Sequence, residues 1–176
     1  CLITRLQQNG YPEALIVHRL DMSTSGLIVF ARSSVMQRCL SVMFQERQVW
    51  KRYIACVAGR LPGSGAVDLP LIADWPNRPR QKVDLQVGKP SLTRFVRLEY
   101  DAERDISRVA LEPETGRSHQ LRVHMQSLGH PILGDELYAD PLHRDRAPRL
   151  LLHAQMLRLR HPRLGHPLEL SADAPF

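Results

Sequence analysis

The chain has 176 residues, 43% of them hydrophobic and 24% charged, an ordinary composition for a single globular domain across residues 1–176. No apolar stretch approaches the roughly 18 residues that a membrane span needs, and no export signal is present, so we expect a cytoplasmic protein. The formal net charge of +6 favours an anionic partner such as nucleic acid over an acidic protein.

The start of the chain and its cysteines bear on completeness and redox state. The sequence begins at Cys1 without an initiating Met, and we expect that an N-terminal part of the natural protein is absent. Cys39 and Cys56 lie in apolar patterns, where a thiol is usually a small hydrophobic side chain. The three cysteines form neither a paired framework nor a Cys-x-x-Cys motif, so we expect them to be reduced and structural.

Two short strands are the first predicted elements. They are "ALIV" (14–17) and "GLIVFA" (26–31), both rich in aliphatic residues and separated by turn-forming ones. The loop between them contains Arg19 and Asp21. For an aspartate beside Ser and Thr, the ordinary interpretation is a turn or cap residue that binds nearby backbone N–H groups.

An amphipathic helix of about three turns follows. Its apolar positions Val35, Cys39, Val42 and Met43 recur at helical spacing, and Ser34 with Gln37 forms a weak capping box. The next segment, 49–59, is rich in β-formers and ends at a glycine, which predicts a strand that carries Tyr53.

Short strands are predicted to continue from about residue 66 to 112. The segments 93–100 and 107–113 are separated by the charged turn "DAERD", and we expect them to form an antiparallel pair. The Pro-punctuated segment "DWPNRPRQKV" precedes them and predicts a solvated loop. Its basic residues are candidate phosphate contacts: Arg78, Arg80 and Lys82.

A second helix is predicted after residue 117. Ser118 is a good N-cap residue, and Leu121, Met125 and Leu128 share one helical face before Gly and Pro end the helix. Arg122 is then expected to point away from that face, toward solvent or a cleft. With one more strand in "MLRLR" near the C-terminus, the pattern predicts an α+β fold built on a largely antiparallel sheet.

Motifs for several common chemistries are missing. The sequence has no recognised His or Cys spacing for a metal site, no Gly-rich phosphate loop and no G-x-S-x-G motif. What remains is one carboxylate in a loop, one tyrosine on a strand and one arginine on a helix. Composition and periodicity alone leave these three residues with ordinary structural roles.

Three motifs nevertheless resemble those of one enzyme family. "HRLDMSTSGL" looks like the catalytic-loop signature of the RluA-type pseudouridine synthases, "KRYIACV" resembles the second motif of that family, and "GRSHQLRVHMQSLGHPILGD" is similar to its third. The motifs occur in the family's order between residues 18 and 135, and the similarity extends through "VDLPLIADWPNRPRQKV" and "APRLLLHAQML". The family's further N-terminal strand and "KPAG"-like motif are not present in this chain.

The resemblance implies a fold and a set of site residues. The fold is a pseudouridine synthase catalytic domain with a mainly antiparallel mixed sheet flanked by helices and loops. Asp21 matches the essential aspartate of the family, Tyr53 its active-site tyrosine, and Arg122 the arginine that pairs with the aspartate and keeps it ionised and oriented. Arg19 resembles the residue that contacts RNA where the target base has been flipped out.

The resemblance also implies a reaction and its partners. The enzyme isomerises uridines in large-subunit (23S) ribosomal RNA and transfer RNA, presented on stem-loops, with no metal, organic cofactor or obligate protein partner. Two alternatives stay open from the residues. One is a non-catalytic RNA-binding module, and the other is a metal-dependent hydrolase that uses His18 and Asp21.

Overall fold

A seven-stranded sheet forms the centre of the computed structural model, which describes all residues 1–176. The strands are, in chain order, β1 (Leu15–Ile16), β2 (Ser25–Gly26), β3 (Phe30–Ala31), β4 (Trp50–Ala58), β5 (Ser64–Asp68), β6 (Leu71–Ala73), β7 (Gln81–Val83), β8 (Leu92–Asp101), β9 (Ile106–Pro113), β10 (Leu152–Arg160) and β11 (Pro167–Ser171). The helices are α1 (Leu2–Gln8), α2 (Ser34–Gln45), α3 (Gln120–Ser127) and α4 (Pro141–Arg144). None of them combines the length and the apolar character that a membrane crossing requires.

The strand order confirms the predicted α+β class with a mainly antiparallel sheet. The order in the central sheet is β11-β10-β4-β9-β8-β5, and every pair along it is antiparallel. The short strand β2 joins β10 in parallel, which makes the sheet mixed. Strands β1 and β3 form one separate antiparallel pair, and β6 and β7 form a hairpin with a 3-10 turn at its tip.

The main core lies between the sheet and α3. Leu121 and Met125 of α3 pack with a cluster of buried apolar residues from β4, β5, β8, β9 and β10. Full burial of such a side chain contributes about 2 kcal/mol to folding. The apolar face predicted for this helix is confirmed for these two residues, whereas Leu128 at its end is 38% exposed. The core therefore fixes where α3 begins, and with it the polar residues of its first turn.

Helix α2 forms where it is predicted, but of its predicted apolar face only Met43 packs against the core. Val35 is 69% exposed and Cys39 is exposed, while Leu40 packs against β10 in a second apolar cluster. The cap is also one residue earlier than predicted, because the Ser33 side chain accepts the hydrogen bond from the Met36 N–H. All three cysteines are free, as expected for reduced thiols.

The first two predicted strands are shorter than the sequence indicates. Only Leu15–Ile16 of the first run and the two ends of the second are in strands. The Val29 N–H donates to the Nε2 atom of His18 instead of a strand partner, so the ladder does not extend. The predictions of a strand at 49–59 and of an antiparallel pair at 93–100 and 107–113 are confirmed.

Candidate active site

A cavity of about 430 Å³ opens at one end of the sheet, where Asp21 and Tyr53 face the same space. Its walls come from the loop between β1 and β2, the end of α2, the start of β4, the segment 113–117 and the first turn of α3. This volume lies within the range of about 300 to 1,000 Å³ that small-molecule sites occupy. Residues from all three sequence motifs thus line the same cavity.

The carboxylate of Asp21 lies in this cavity without a hydrogen bond from the protein. Its side chain is 19% exposed, and the turn that holds it is closed by the Thr24 N–H, which donates to the Asp21 carbonyl at 2.9 Å. The nearest basic groups are the Arg122 guanidinium, whose Nη1 atom lies 3.8 Å from Oδ2, and the His119 imidazole, whose Nε2 atom lies 4.0 Å from Oδ1. The carboxylate is therefore oriented by charge and remains free to react or to bind a ligand.

The loop that carries Asp21 is anchored to the sheet at its far end. Gly26 adopts φ +111° and lies against Ala154 of β10, where an added Cβ would approach the Ala154 carbonyl oxygen to 2.3 Å. The Leu27 N–H also donates to that oxygen at 2.9 Å. Only glycine permits this close approach of two backbones, and the Gly in "STSGL" therefore fixes the loop onto β10.

His18 has a structural role at the start of the loop. Its ring stacks on Phe44 with centroids 4.2 Å apart, and its Nε2 atom accepts the hydrogen bond from the Val29 N–H. Burial, together with the positive charge of Lys51, lowers the pKa of His18 to about 4. Because that nitrogen is occupied, the geometry argues against the metal-dependent hydrolase that uses His18 and Asp21. No group of three or more His, Cys, Asp or Glu side chains converges on a common point as a metal site would need.

Arg122 lies close to Asp21, as predicted, but of the two surroundings predicted for it, solvent or a cleft, solvent is wrong. The residue is 4% exposed and does not point to solvent. Its guanidinium makes two hydrogen bonds to Asp135, from Nε to Oδ2 at 2.7 Å and from Nη2 to Oδ1 at 2.6 Å. Asp135 is fully buried and also accepts the backbone N–H groups of Leu137 and Tyr138. The first partner of Arg122 is thus a second, buried aspartate.

This pairing keeps Arg122 charged beside the cavity. Burial by itself lowers the pKa of a guanidinium, but the hydrogen bonds and charge of Asp135, with the charge of Asp21, raise the pKa of Arg122 above its ordinary value. The guanidinium also lies 4.9 Å from the centre of the Tyr138 ring. A permanent positive charge therefore stands next to the Asp21 carboxylate.

Tyr53 is placed as predicted, on β4 with its ring against the main core. Burial, with a smaller effect of the nearby Asp21 charge, raises the pKa of Tyr53 to about 12. The phenol is therefore protonated at neutral pH. It offers the cavity an aromatic face and a hydroxyl group rather than a phenolate.

His119 is a cavity residue that the sequence reasoning missed. The predicted cap, Ser118, is exposed, and His119 occupies the N-cap position instead with φ +54° and no side-chain cap bond. Its Nδ1 atom lies 2.6 Å from the hydroxyl of Tyr138, and burial lowers the pKa of His119 against the opposing effect of Asp21. A non-glycine residue in the left-handed region is strained, and such strain concentrates at functional sites.

A buried glutamine next to His119 fixes the adjoining wall. The Gln120 side chain accepts hydrogen bonds from the Thr115 hydroxyl at 2.7 Å and the Arg117 N–H at 3.1 Å. It donates to the Leu92 carbonyl and to the Thr93 hydroxyl, both at 3.0 Å. The motif "SHQLR" therefore supplies polar groups that are buried and bonded, a feature that helical periodicity does not reveal.

The predicted RNA-binding residues occupy two places. Arg19 is exposed and lines the cavity. The predicted loop is instead the β6–β7 hairpin, which carries the other three outside the cavity lining: Arg78, Arg80 and Lys82.

The hairpin is nevertheless linked to the cavity wall. The Gln81 N–H donates to the Tyr138 hydroxyl at 2.7 Å, and that hydroxyl contacts His119. At the tip, the Arg78 guanidinium lies 4.5 Å from the ring centre of Trp75, which is 65% exposed. The hairpin therefore presents an aromatic and cationic surface and is joined to the cavity wall through Tyr138.

Comparisons with known proteins identify the family of the chain. A family model described as RNA pseudouridylate synthase matches residues 3–127. The chain is 54% identical over 176 residues to the dual-specificity RNA pseudouridine synthase RluA of Escherichia coli strain K12, covering 99% of this chain and 80% of that protein. It is 50% identical to the Yersinia pestis protein of the same name, of which it covers 84%.

Solved structures are similar as well. The human RNA pseudouridylate synthase domain containing 1 superposes with a TM-score of 0.86 at 34% identity, over 99% of this chain and 74% of that one. The human RNA pseudouridylate synthase domain containing 4 gives a TM-score of 0.77 at 27% identity, over 97% of this chain and 76% of that one.

Proposed function

Because the chain belongs to the RNA pseudouridylate synthase family, we propose that it isomerises uridines in both 23S ribosomal RNA and transfer RNA, with Asp21 acting on the flipped-out nucleoside. The dual specificity follows the name of the relatives that the chain matches over almost its whole length. The enzyme is an isomerase acting on RNA.

One observation carries the proposal. The Asp21 carboxylate faces a cavity of nucleoside size and accepts no hydrogen bond from the protein. It lies 3.8 Å from the buried, permanently charged guanidinium of Arg122. A carboxylate that served only as a turn or cap residue would accept backbone N–H groups, as Asp84 and Asp101 do elsewhere in the chain. Asp21 is instead held ready for a ligand.

The reaction explains why the cavity is built in this way. The C1′–N1 bond of uridine is broken, the uracil turns, C1′ is joined to C5, the C5 proton is released and N1 takes up a proton. The detached base must remain in place without being lost to water, and a cavity that surrounds the base favours this. Asp21 acts in its ionised form on the sugar or the base, and Arg122 directs it.

Tyr53 contacts the uracil base in the same proposed reaction. Its ring supplies an aromatic face for the uracil, and its neutral hydroxyl would serve near C5 when the proton leaves. His119 also lies close to Asp21, with its Nε2 atom 4.0 Å from the carboxylate. An extruded pyrimidine would thus meet three groups of the cavity lining: Asp21, Tyr53 and His119.

The RNA around the target is held by the surface outside the cavity. Arg19 at the mouth contacts the strand from which the base has left, and the hairpin residues Arg78, Arg80 and Lys82 bind phosphates. Trp75 beside Arg78 offers a stacking surface to an unpaired base. The chain acts on such stem-loops without a protein partner, in the cytoplasm, where both kinds of RNA are found.

The test is release of tritium from C5-labelled uridine. Two substrates are used, a transfer RNA anticodon stem-loop and a stem-loop from 23S ribosomal RNA, each beside a fully paired duplex of the same sequence. Release from both stem-loops and not from the duplex supports the proposal. Tight RNA binding with no release from either would instead identify a non-catalytic RNA-binding module.

A further inference from the structure

The cavity has a second, cationic end that the reaction at Asp21 does not use. Three basic residues line it besides Arg19: Arg47, Lys51 and Arg117. None of the three makes an ion pair with an acid. The two acids in the cavity lining are Asp21, which faces Arg122, and Glu114, which binds Arg94 at 2.5 Å. The positive charge at this end has no counterion within the protein.

Lys51 is the residue of this group that most requires a counterion. It is half-buried at the start of β4 and makes no side-chain hydrogen bond. Burial and the nearby charge of Arg47 lower the pKa of Lys51. A charged amine that is partly desolvated and repelled by a second cation destabilises the empty site, and a bound anion reverses both effects.

Arg47 gives an independent indication. It follows α2 with φ +60°, in a Schellman motif in which the Gln48 N–H donates to the Met43 carbonyl and the Arg47 N–H to that of Phe44. Glycine is the usual residue at this position because it has no Cβ to strain. Arg47 adopts this strained backbone conformation, and its side chain lines the cavity, where the guanidinium can bind an anion.

The spacing matches one nucleotide. Lys51 and Tyr53 are two residues apart on one strand, so they share a face and lie about 7 Å apart along it. That separation is comparable with the distance between the base and the phosphate of a single nucleotide. Gly116 lies next to Lys51, because a Cβ built on it would be in ordinary van der Waals contact with the lysine Nζ atom, at 3.8 Å.

We propose that Lys51 and Arg47 form a phosphodiester subsite that holds the RNA backbone at the flipped-out nucleotide, with Arg117 at its rim. This inference rests on the proposed function, since the phosphate belongs to the same RNA that presents its uridine to Asp21. The subsite acts in binding: it positions the nucleotide through its phosphate while Tyr53 receives the base.

The experiment measures affinity for the anticodon stem-loop by fluorescence anisotropy across a series of salt concentrations. Lys51→Met and Arg47→Gly are compared with the wild type. Each variant is expected to raise Kd about ten-fold at 0.1 M salt and to reduce the slope of log Kd against log salt by about one unit, as loss of one phosphate contact does. Lys51→Arg, which keeps the charge, is expected to restore the slope.

A matched control separates this effect from general charge loss. Arg104 lies in the turn between β8 and β9, outside the cavity lining and exposed, so Arg104→Gln removes one positive charge far from the site. It is expected to leave the slope unchanged. Thermal unfolding provides the second control, since Arg47→Gly relieves a strained residue and is expected to keep or raise Tm while it weakens binding.

The outcomes distinguish the inference from the function on which it rests. Lys51→Met and Arg47→Gly could show the same Kd and the same salt slope as Arg104→Gln while the wild type still releases tritium. In that case the proposed subsite is wrong and the proposed function stands. If the wild type binds RNA without release, the function fails and the slopes still decide the subsite. A wild-type protein that does not bind the RNA overturns both.

Discussion

Asp135 binds the Arg122 guanidinium through two hydrogen bonds of 2.7 and 2.6 Å, whereas the Asp21 carboxylate lies 3.8 Å from the same group. The guanidinium is thus positioned by Asp135, which does not line the cavity. Asp21 is attracted by the positive charge of Arg122 but is not hydrogen-bonded to it. This division lets Arg122 orient Asp21 while the carboxylate stays free to react.

Replacing Asp135 is therefore expected to impair both folding and catalysis. Asp135→Asn leaves Arg122 buried beside a neutral partner, and breaking a buried pair in this way costs about 3 to 5 kcal/mol of unfolding free energy. Urea denaturation measures the stability, and tritium release measures the activity. The double variant Arg122→Met with Asp135→Leu replaces the pair by apolar groups, and is expected to recover stability but not activity. A double variant with wild-type activity would contradict the role given to the pair.

Tyr53→Phe is expected to separate binding from proton transfer. The ring and its packing remain, so the RNA Kd should stay within about two-fold, while loss of the hydroxyl at the departing proton lowers kcat by roughly 10² to 10⁴. Anisotropy and single-turnover tritium release supply the two measurements. Because the pKa of Tyr53 is raised to about 12, the wild-type rate should show no tyrosine ionisation below pH 10. An unchanged kcat in the variant would remove the hydroxyl from the mechanism.

The hydroxyl of Tyr138 joins the hairpin to His119, since it accepts from the Gln81 N–H and lies 2.6 Å from the His119 Nδ1 atom. Tyr138→Phe is expected to lower kcat about ten-fold, because the His119 ring loses the group that orients it beside Asp21. Tyr100→Phe is the matched control, since that hydroxyl binds Asp105 in the β8–β9 turn. Equal kcat values for the two variants would show that Tyr138 has no positioning role.

The sequence predicted the long elements and the reacting groups better than the partners that hold them. The apolar patterns located α2, β4 and the β8–β9 pair because each of these elements buries some of its apolar residues, although α2 buries a largely different face from the predicted one. It misjudged the short strands near His18, where a side chain and not a neighbouring strand takes the Val29 N–H.

The site was predictable only where motif resemblance named its residues. Asp21, Tyr53 and Arg122 were found in that way and do lie at one place. The bond between Arg122 and Asp135 joins side chains from a helix and a later loop, and no pattern within either segment encodes it. The presence of "SHQLR" and "ILGD" in one motif was the available signal for His119 and Asp135.

Acid stability tests the buried state of His18. The unfolded ring gains a proton near pH 6.5, whereas the folded ring, whose pKa is lowered to about 4 by burial and Lys51, stays neutral. The unfolded state therefore binds more protons between these values, and the free energy of unfolding falls as pH drops through that window, by up to about 3 kcal/mol. Urea denaturation of the wild type and His18→Asn at pH 7 and pH 4 is expected to show a smaller fall in the variant. An equal fall in the wild type and the variant would show that groups other than His18 cause the loss of stability in acid.

The most direct measurement of the central claim is single-turnover tritium release by Asp21→Asn from a C5-labelled anticodon stem-loop. The amide keeps the size of the side chain and removes its charge, so binding by anisotropy should persist. Release should fall below detection, because no ionised oxygen remains to act on the nucleoside. Release at the wild-type rate from a variant that binds normally would contradict the account.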